Sequence, residues 1–119
     1  MTARALAVAR LTDAAPVFAA LGDATRLRIV ARLCDGGPQS IVRLGTGEDV
    51  SRQAVTKHLR ALEEAGLVQS AREGRERVWA LRTQRLAEVR HHLDLISEQW
   101  NAAIGRLREL VEDIEESRD

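Results

Sequence analysis

Leu86, Leu93, Trp100, Leu107 and Ile114 recur every seven residues, and Val89, Ile96, Ala103 and Leu110 each sit three after one of the first four. Apolar residues at this alternating three-and-four spacing form a heptad seam, which predicts one helix from about Thr83 to Glu116. From residue 104 onward Ile104 and Val111 widen the apolar stripe. A chain of 119 residues is expected to form a single domain, 1–119, with a core over 13–82 followed by the tail helix at 83–116. Such a domain can cover only part of that helix, and a second copy of the chain is the economical cover for the remainder. Leu86, Val89, Leu93, Ile96, Trp100, Ala103, Leu107 and Leu110 are therefore expected at a homodimer interface.

Immediately before this helix, Val50 to Arg82 reads as a short helix followed by a hairpin. Ser51 suits the N-cap, because its hydroxyl can accept from an otherwise unpaired backbone N–H. Val50 and Val55 can close as a hydrophobic staple. Val55, Leu59 and Leu62 give a narrow apolar stripe, and Gly66 fits the left-handed position that ends a helix, with Leu67 packing back on Leu62. The helix then runs from about Ser51 to Ala65. Its other face carries Arg52, Gln53, Thr56, Lys57, His58 and Arg60, while Glu63 and Glu64 come only at the end. A helix that enters a major groove has this layout, with hydrogen-bonding side chains near its N-terminus and acids kept from phosphate. Leu67 to Arg72 and Arg77 to Arg82 are strand-like, with a turn at Glu73-Gly74-Arg75-Glu76. Arg72, Arg75 and Arg77 cluster at the tip, where arginines suit a phosphate backbone better than a core.

The net charge is zero, but it is unevenly placed. Residues 1–50 carry six basic and five acidic side chains, residues 51–90 nine and five, and residues 91–119 three and eight. The middle is basic and the tail acidic, and it is the local basic surface that matters to nucleic acid. The acidic tail reads as a solvated helix face. The one cysteine, Cys34, excludes an internal disulfide and fits a reducing cytoplasm. No apolar run approaches a membrane span, and Arg4, Arg10 and Asp13 interrupt the alanine-rich start, so neither a membrane partner nor a secretory signal is expected.

Upstream, Thr2 to Leu11 looks like a weak alanine-rich helix. Asp13 is expected to cap a second helix with Pro16 in its first turn, and Gly22 to break it. Asp23 caps a third, with Leu27, Val30, Ala31 and Cys34 inward and Arg26, Arg28 and Arg32 mostly outward. Asp35-Gly36-Gly37-Pro38 stops it, Ser40 to Leu44 forms a short helix, and Gly45 to Asp49 turns into the helix at Ser51. Two helices joined by a glycine-bearing turn are a helix-turn-helix. The fold class expected is mainly α with a small β-hairpin wing: a winged helix-turn-helix with a further helix at each end, of which the heptad marks the C-terminal one for dimerisation.

At this point Leu21-Gly22-Asp23-Ala24-Thr25-Arg26-Leu27-Arg28-Ile29, Ser51-Arg52-Gln53-Ala54-Val55-Thr56-Lys57-His58-Leu59, Leu62-Glu63-Glu64-Ala65-Gly66-Leu67-Val68 and Glu73-Gly74-Arg75 together resemble the ArsR-type winged-helix repressors. The similarity covers about Phe18 to Arg82. It implies a dimeric bacterial transcription regulator that binds double-stranded DNA, usually a repressor released by an inducer. It also implies that Ser51, Gln53, Thr56, Lys57 and His58 face the groove and that the first and last helices make the dimer. Metal-sensing relatives carry paired cysteines in the helix before the reading helix. Here that segment is Ser40-Ile41-Val42-Arg43-Leu44, without cysteine, and one cysteine is too few for a redox pair.

Other features admit plainer readings. His91, His92, Asp94 and Glu98 look like a metal cluster, but with Leu93 on the seam His91, Asp94 and Glu98 point to the outer face, and zinc requires three or four converging ligands. No metal or other cofactor is expected. Cys34 reads as a small buried hydrophobe, and Trp79 and Trp100 as packing and interface residues. No phosphate loop or nucleophile–base arrangement suggests an enzyme. The function expected is sequence-specific DNA binding by a homodimeric repressor at a palindromic operator. The alternatives are a protein-interaction module acting through the C-terminal helix and a metal-responsive repressor using the tail histidines and acids. No residue identifies a small-molecule or protein effector.

Overall fold

A computed structural model of the chain describes Thr2 and residues 9–118. Those residues fall into two compact units that meet between Val89 and Arg90. In chain order the first unit contains α1 (Ala15–Leu21), α2 (Ala24–Gly36), β1 (Gln39–Ser40), α3 (Ile41–Gly45), α4 (Arg52–Glu64), β2 (Val68–Glu73) and β3 (Glu76–Leu81). The long helix α5 (Thr83–Ser117) begins in this unit and runs through the second. The alanine-rich helix expected at Thr2 to Leu11 lies mostly outside the described residues; residues 9–13 are helical.

Side-chain caps start three of the helices. Asp23 accepts from the Arg26 N–H at 3.0 Å, Ser51 from the Ala54 N–H at 3.1 Å, and Ser40 more loosely from the Arg43 N–H at 3.5 Å. The expected Asp13 cap does not form. Ala14 stands at the N-cap of α1 without a side-chain bond, and Pro16 supplies the pre-set φ of its first turn. Gly66, at φ +79°, ends α4. Its N–H donates to the Glu63 carbonyl and that of Leu67 to the Leu62 carbonyl, the paired bonds of a Schellman motif. The same motif turns the chain so that Leu67 enters the core beside Leu62.

The core of the first unit joins Val17, Ile29, Leu33, Leu44, Val55, Leu59, Leu62, Leu67, Val68, Trp79 and Val89, with Phe18, Leu21, Val30, Ile41, Leu81 and Leu86 packed on it. This corrects two expectations. Helix α2 buries Ile29 and Leu33, while Leu27, Ala31 and Cys34 are exposed. The apolar residues of α2 surround most of its circumference, so two stripes have helical spacing, and only the partner surfaces decide between them. Leu86 and Val89, expected at the interface between copies, instead belong to the chain's own core; Val89 is only 6% exposed.

The sheet has three strands rather than two, in the order β1-β3-β2. The two-residue β1 pairs antiparallel with β3, Gln39 opposite Trp79. In the hairpin, Arg72 faces Arg77 and Glu73 faces Glu76, leaving Gly74 and Arg75 as a two-residue loop. Gly74 has φ +65°, and no residue other than glycine has a positive φ among the described residues. That places the glycine first in the loop, the pattern of a type II′ turn, whose twist matches that of paired strands.

Candidate nucleic-acid interface

Helix α4 buries one face and presents the other. Val55, Leu59 and Leu62 are in the core, while Arg52, Gln53, Lys57 and Arg60 are exposed and Thr56 and His58 half-buried. Gln53 and Lys57 stand one turn apart on the exposed face. Among the described residues, no hydrogen bond or ion pair engages the side chains of Arg52, Gln53, Lys57, Arg72 or Arg75. Five long polar side chains without internal partners are available for an external one.

Two of the expected contact residues have less capacity than their side chains suggest. The Thr56 hydroxyl donates to the Arg52 carbonyl at 3.0 Å, so it can only accept from a ligand. The Ser51 hydroxyl accepts from the Ala54 N–H and keeps its own proton to donate.

Arg60 and Arg77 depart further from expectation. The Arg60 guanidinium lies over the Trp79 ring, 5.4 Å from its centroid, and pairs with the Glu63 carboxylate at 3.0 Å. Arg77 donates to the Ser70 hydroxyl at 2.8 Å. Both expected phosphate contacts are thus tied into the protein. Arg72 and Arg75 remain at the hairpin tip, exposed.

The turn leading into α4 is held by residues that spacing alone did not reveal. Arg28 on α2 donates to both carboxylate oxygens of Glu48, Nε at 2.9 and 3.1 Å and Nη2 at 3.0 Å. The Glu48 side chain is 4% exposed, although Arg28 itself is open to solvent. Arg32, one turn further along α2, donates to the carbonyls of Arg43 and Leu44 at 3.2 and 3.1 Å and so satisfies the C-terminal end of α3. The hydrogen bond from Arg28 holds the Glu48 carboxyl below the usual glutamate value against the opposing effect of burial, with the charges of Arg28, Arg32 and His58 adding to it. Asp23 is also lowered, chiefly by the Arg26 N–H it caps, and again with a contribution from His58.

Beyond Val89, α5 exposes Leu93, Ile96, Trp100, Ile104, Leu107, Leu110, Val111 and Ile114, with Trp100 at 67%. Among the described residues no group of three His, Cys, Asp or Glu side chains could hold a metal ion. The His91 and His92 rings lie 6.1 Å apart, and His91, Asp94 and Glu98 are exposed. Cys34 is exposed rather than buried. No helix among the described residues is long and apolar enough to cross a membrane.

Residues 21–70, from the end of α1 into β2, match the helix-turn-helix domain family. The uncharacterized HTH-type transcriptional regulator YuzN of Bacillus subtilis is 46% identical over 68 residues, covering 52% of this chain and 74% of that protein. The HTH-type transcriptional regulator Rv2034 of Mycobacterium tuberculosis is 38% identical over 93 residues, covering 78% of this chain and 83% of that one. Among solved structures, an ArsR-like transcriptional regulator from Rhodococcus sp. RHA1 superposes with a TM-score of 0.68 at 37% identity, covering 87% of this chain and 93% of the other. On these likenesses the chain belongs to the ArsR-type family of helix-turn-helix, DNA-binding transcriptional regulators.

Proposed function

We propose that this regulator acts in the cytoplasm as a homodimeric repressor, with its two α4 helices entering successive major grooves of a palindromic operator about 34 Å apart. The observation that carries this reading is the polar face of α4, where Arg52, Gln53 and Lys57 have no internal side-chain partner among the described residues, flanked by a hairpin tip whose Arg72 and Arg75 are equally unengaged. Gln53 and Lys57 are assigned to base edges, with Arg52, Thr56 and His58 beside them. Ser51, Arg72 and Arg75 are assigned to phosphates. The exposed seam from Leu93 through Ile96, Trp100, Ala103, Leu107 and Leu110 supports the dimer, since a contiguous apolar stripe about 25 Å long calls for cover. An effector would act by binding one separation of the two reading helices better than another.

Selection of binding sequences from random duplex DNA tests the proposal. A two-fold symmetric site with half-sites one helical turn apart is expected, and recovery of no preferred sequence would reject the reading. A second reading draws on the seam alone: with Trp100 so exposed, α5 could dock a different protein instead of a second copy. Sedimentation of the purified chain separates the two, because a monomer at micromolar concentration would leave the seam for another partner.

A further inference from the structure

The hairpin projects from the sheet, and its outer half lacks apolar support. On the face that Trp79 shares with Val68 and Leu81, the next cross-strand pair outward is Arg72 opposite Arg77, and both are exposed. Pairing between β2 and β3 fixes the hairpin within its own plane but not its tilt against α4. Tilt needs a contact out of the plane, and one is present at the C-terminal end of α4. Glu63 receives Arg60 on Oε1 at 3.0 Å, and its Oε2 faces the Ser70 hydroxyl at 3.5 Å, the loosest link of the set. Ser70 in turn accepts from Arg77 at 2.8 Å, and Arg60 covers the Trp79 ring. Arg60 and Ser70, from the helix and one strand, thus bind the carboxylate directly, and Arg77 of the other strand reaches it only through Ser70.

We infer that Glu63 is a positioning residue for the wing, setting the angle at which Arg72 and Arg75 meet the DNA flanking the site read by α4. Arg60 and Arg77 are on this account braces rather than phosphate contacts. The inference rests on the DNA-binding reading above.

The sign of one substitution separates brace from bystander. Glu63→Gln removes a negative charge and the ion-pair partner of Arg60, so simple electrostatics predicts tighter binding and a steeper salt dependence. Positioning predicts the reverse: affinity lower by roughly tenfold and a salt slope shallower by about 1 to 2, as Arg72 and Arg75 lose their phosphates. The probe is a duplex recovered by selection with the unaltered chain, with affinities measured by fluorescence anisotropy across a salt series. A double-mutant cycle with Arg75→Ala completes the test, because an effect transmitted through the tip must shrink once the tip arginine is gone, whereas general weakening of the fold is additive. Equal or tighter binding by Glu63→Gln, or additivity with Arg75→Ala, overturns the inference. If Glu63→Gln does not fold, Ser70→Ala, which removes only the linking hydroxyl, decides on the same two readouts. If the unaltered chain selects no duplex, it is the DNA-binding reading that has failed.

Discussion

Arg28 Nε lies 2.9 Å from Glu48 Oε1, joining the middle of α2 to the turn that launches α4. Glu48 stands in that turn, between α3 and the Ser51 cap, and Arg32 holds the last carbonyls of α3 from the same side of α2. The two arginines therefore fix both ends of the connection in the helix-turn-helix. A reading helix is useful only if its angle to its supports is fixed, since base contacts discriminate over tenths of an ångström.

This arrangement makes stability depend on pH in a definite direction. Glu48 and Asp23 both have folded values below their ordinary ones, for the hydrogen-bonding reasons given above. A carboxyl lowered on folding contributes stability above its unfolded value, and the contribution is lost as pH falls through the folded one. The thermal midpoint, followed by circular dichroism, should be level near neutrality and fall below about pH 5. Glu48→Gln should lower the midpoint at pH 7 and reduce the acid-induced drop without abolishing it, because Asp23 remains. Curves for the two proteins that stay parallel down to low pH would assign the acid loss elsewhere.

Gln53 and Lys57 offer the most direct test of the reading face. Replacing both by alanine removes two exposed polar ends and leaves Val55, Leu59 and Leu62 in the core. Alanine is also the best helix former, so α4 should not weaken. Sequence-specific protection of the selected site is expected to disappear, while the thermal midpoint and the sedimentation coefficient stay as they were. The unaltered chain should show a steep salt dependence, with a slope of about −0.9 per phosphate neutralised. A double variant that still protects the same bases would move the reading surface off α4.

The boundary at Val89 predicts different outcomes for two leucine-zipper-like positions of the same helix. Val89 is buried in the first unit, whereas Leu107 is 60% exposed in the second. Val89→Ala should destabilise the fold by about 1 to 3 kcal/mol, as loss of a buried branched side chain does. Its effect should not depend on protein concentration. Leu107→Asp should leave the first unit folded and shift the monomer–dimer equilibrium toward monomer by sedimentation. If Leu107→Asp remains fully dimeric, the seam is not where copies meet.

What could be read directly from the sequence was what neighbouring residues decide among themselves. The Asp23 and Ser51 caps, the Gly66 stop and the heptad of α5 each depend on spacing within a few residues, and each is present in the structure. What escaped depends on which surfaces meet. Leu27 and Cys34 share helical spacing as well as Ile29 and Leu33 do, and only packing selects the second pair. A two-residue strand such as β1 is too short to show alternation. Arg60 looked like a free cation because nothing local shows that Trp79, from a strand folded beneath it, supplies its partner. The Arg28–Glu48 pair, 20 residues apart, has no signature in spacing at all.

Two glycines separate a conformational requirement from mere tolerance. Gly66 has φ +79°, and the nearest atoms a Cβ built there would meet belong to the flexible side chain of Arg85, no closer than 3.7 Å. Gly66→Ala should therefore be disfavoured by backbone conformation rather than by crowding, at about 1 to 2 kcal/mol for holding an L-residue in the left-handed region. Because the Leu67 N–H reaches the Leu62 carbonyl only through this turn, the loss should also appear as faster hydrogen exchange at Leu67. Gly105 is the opposite case. It lies inside α5 with helical backbone, and a Cβ there meets nothing within 4 Å. It also stands off the heptad seam, two positions after Ala103. Gly105→Ala should stabilise the helix by about 0.5 to 1 kcal/mol, since glycine carries more backbone freedom into the unfolded state. The gain should appear in chemical denaturation as a higher midpoint with an unchanged slope. A loss at Gly105 instead would mean that another helix approaches α5 closely on that side, where only a residue without a Cβ could be accommodated.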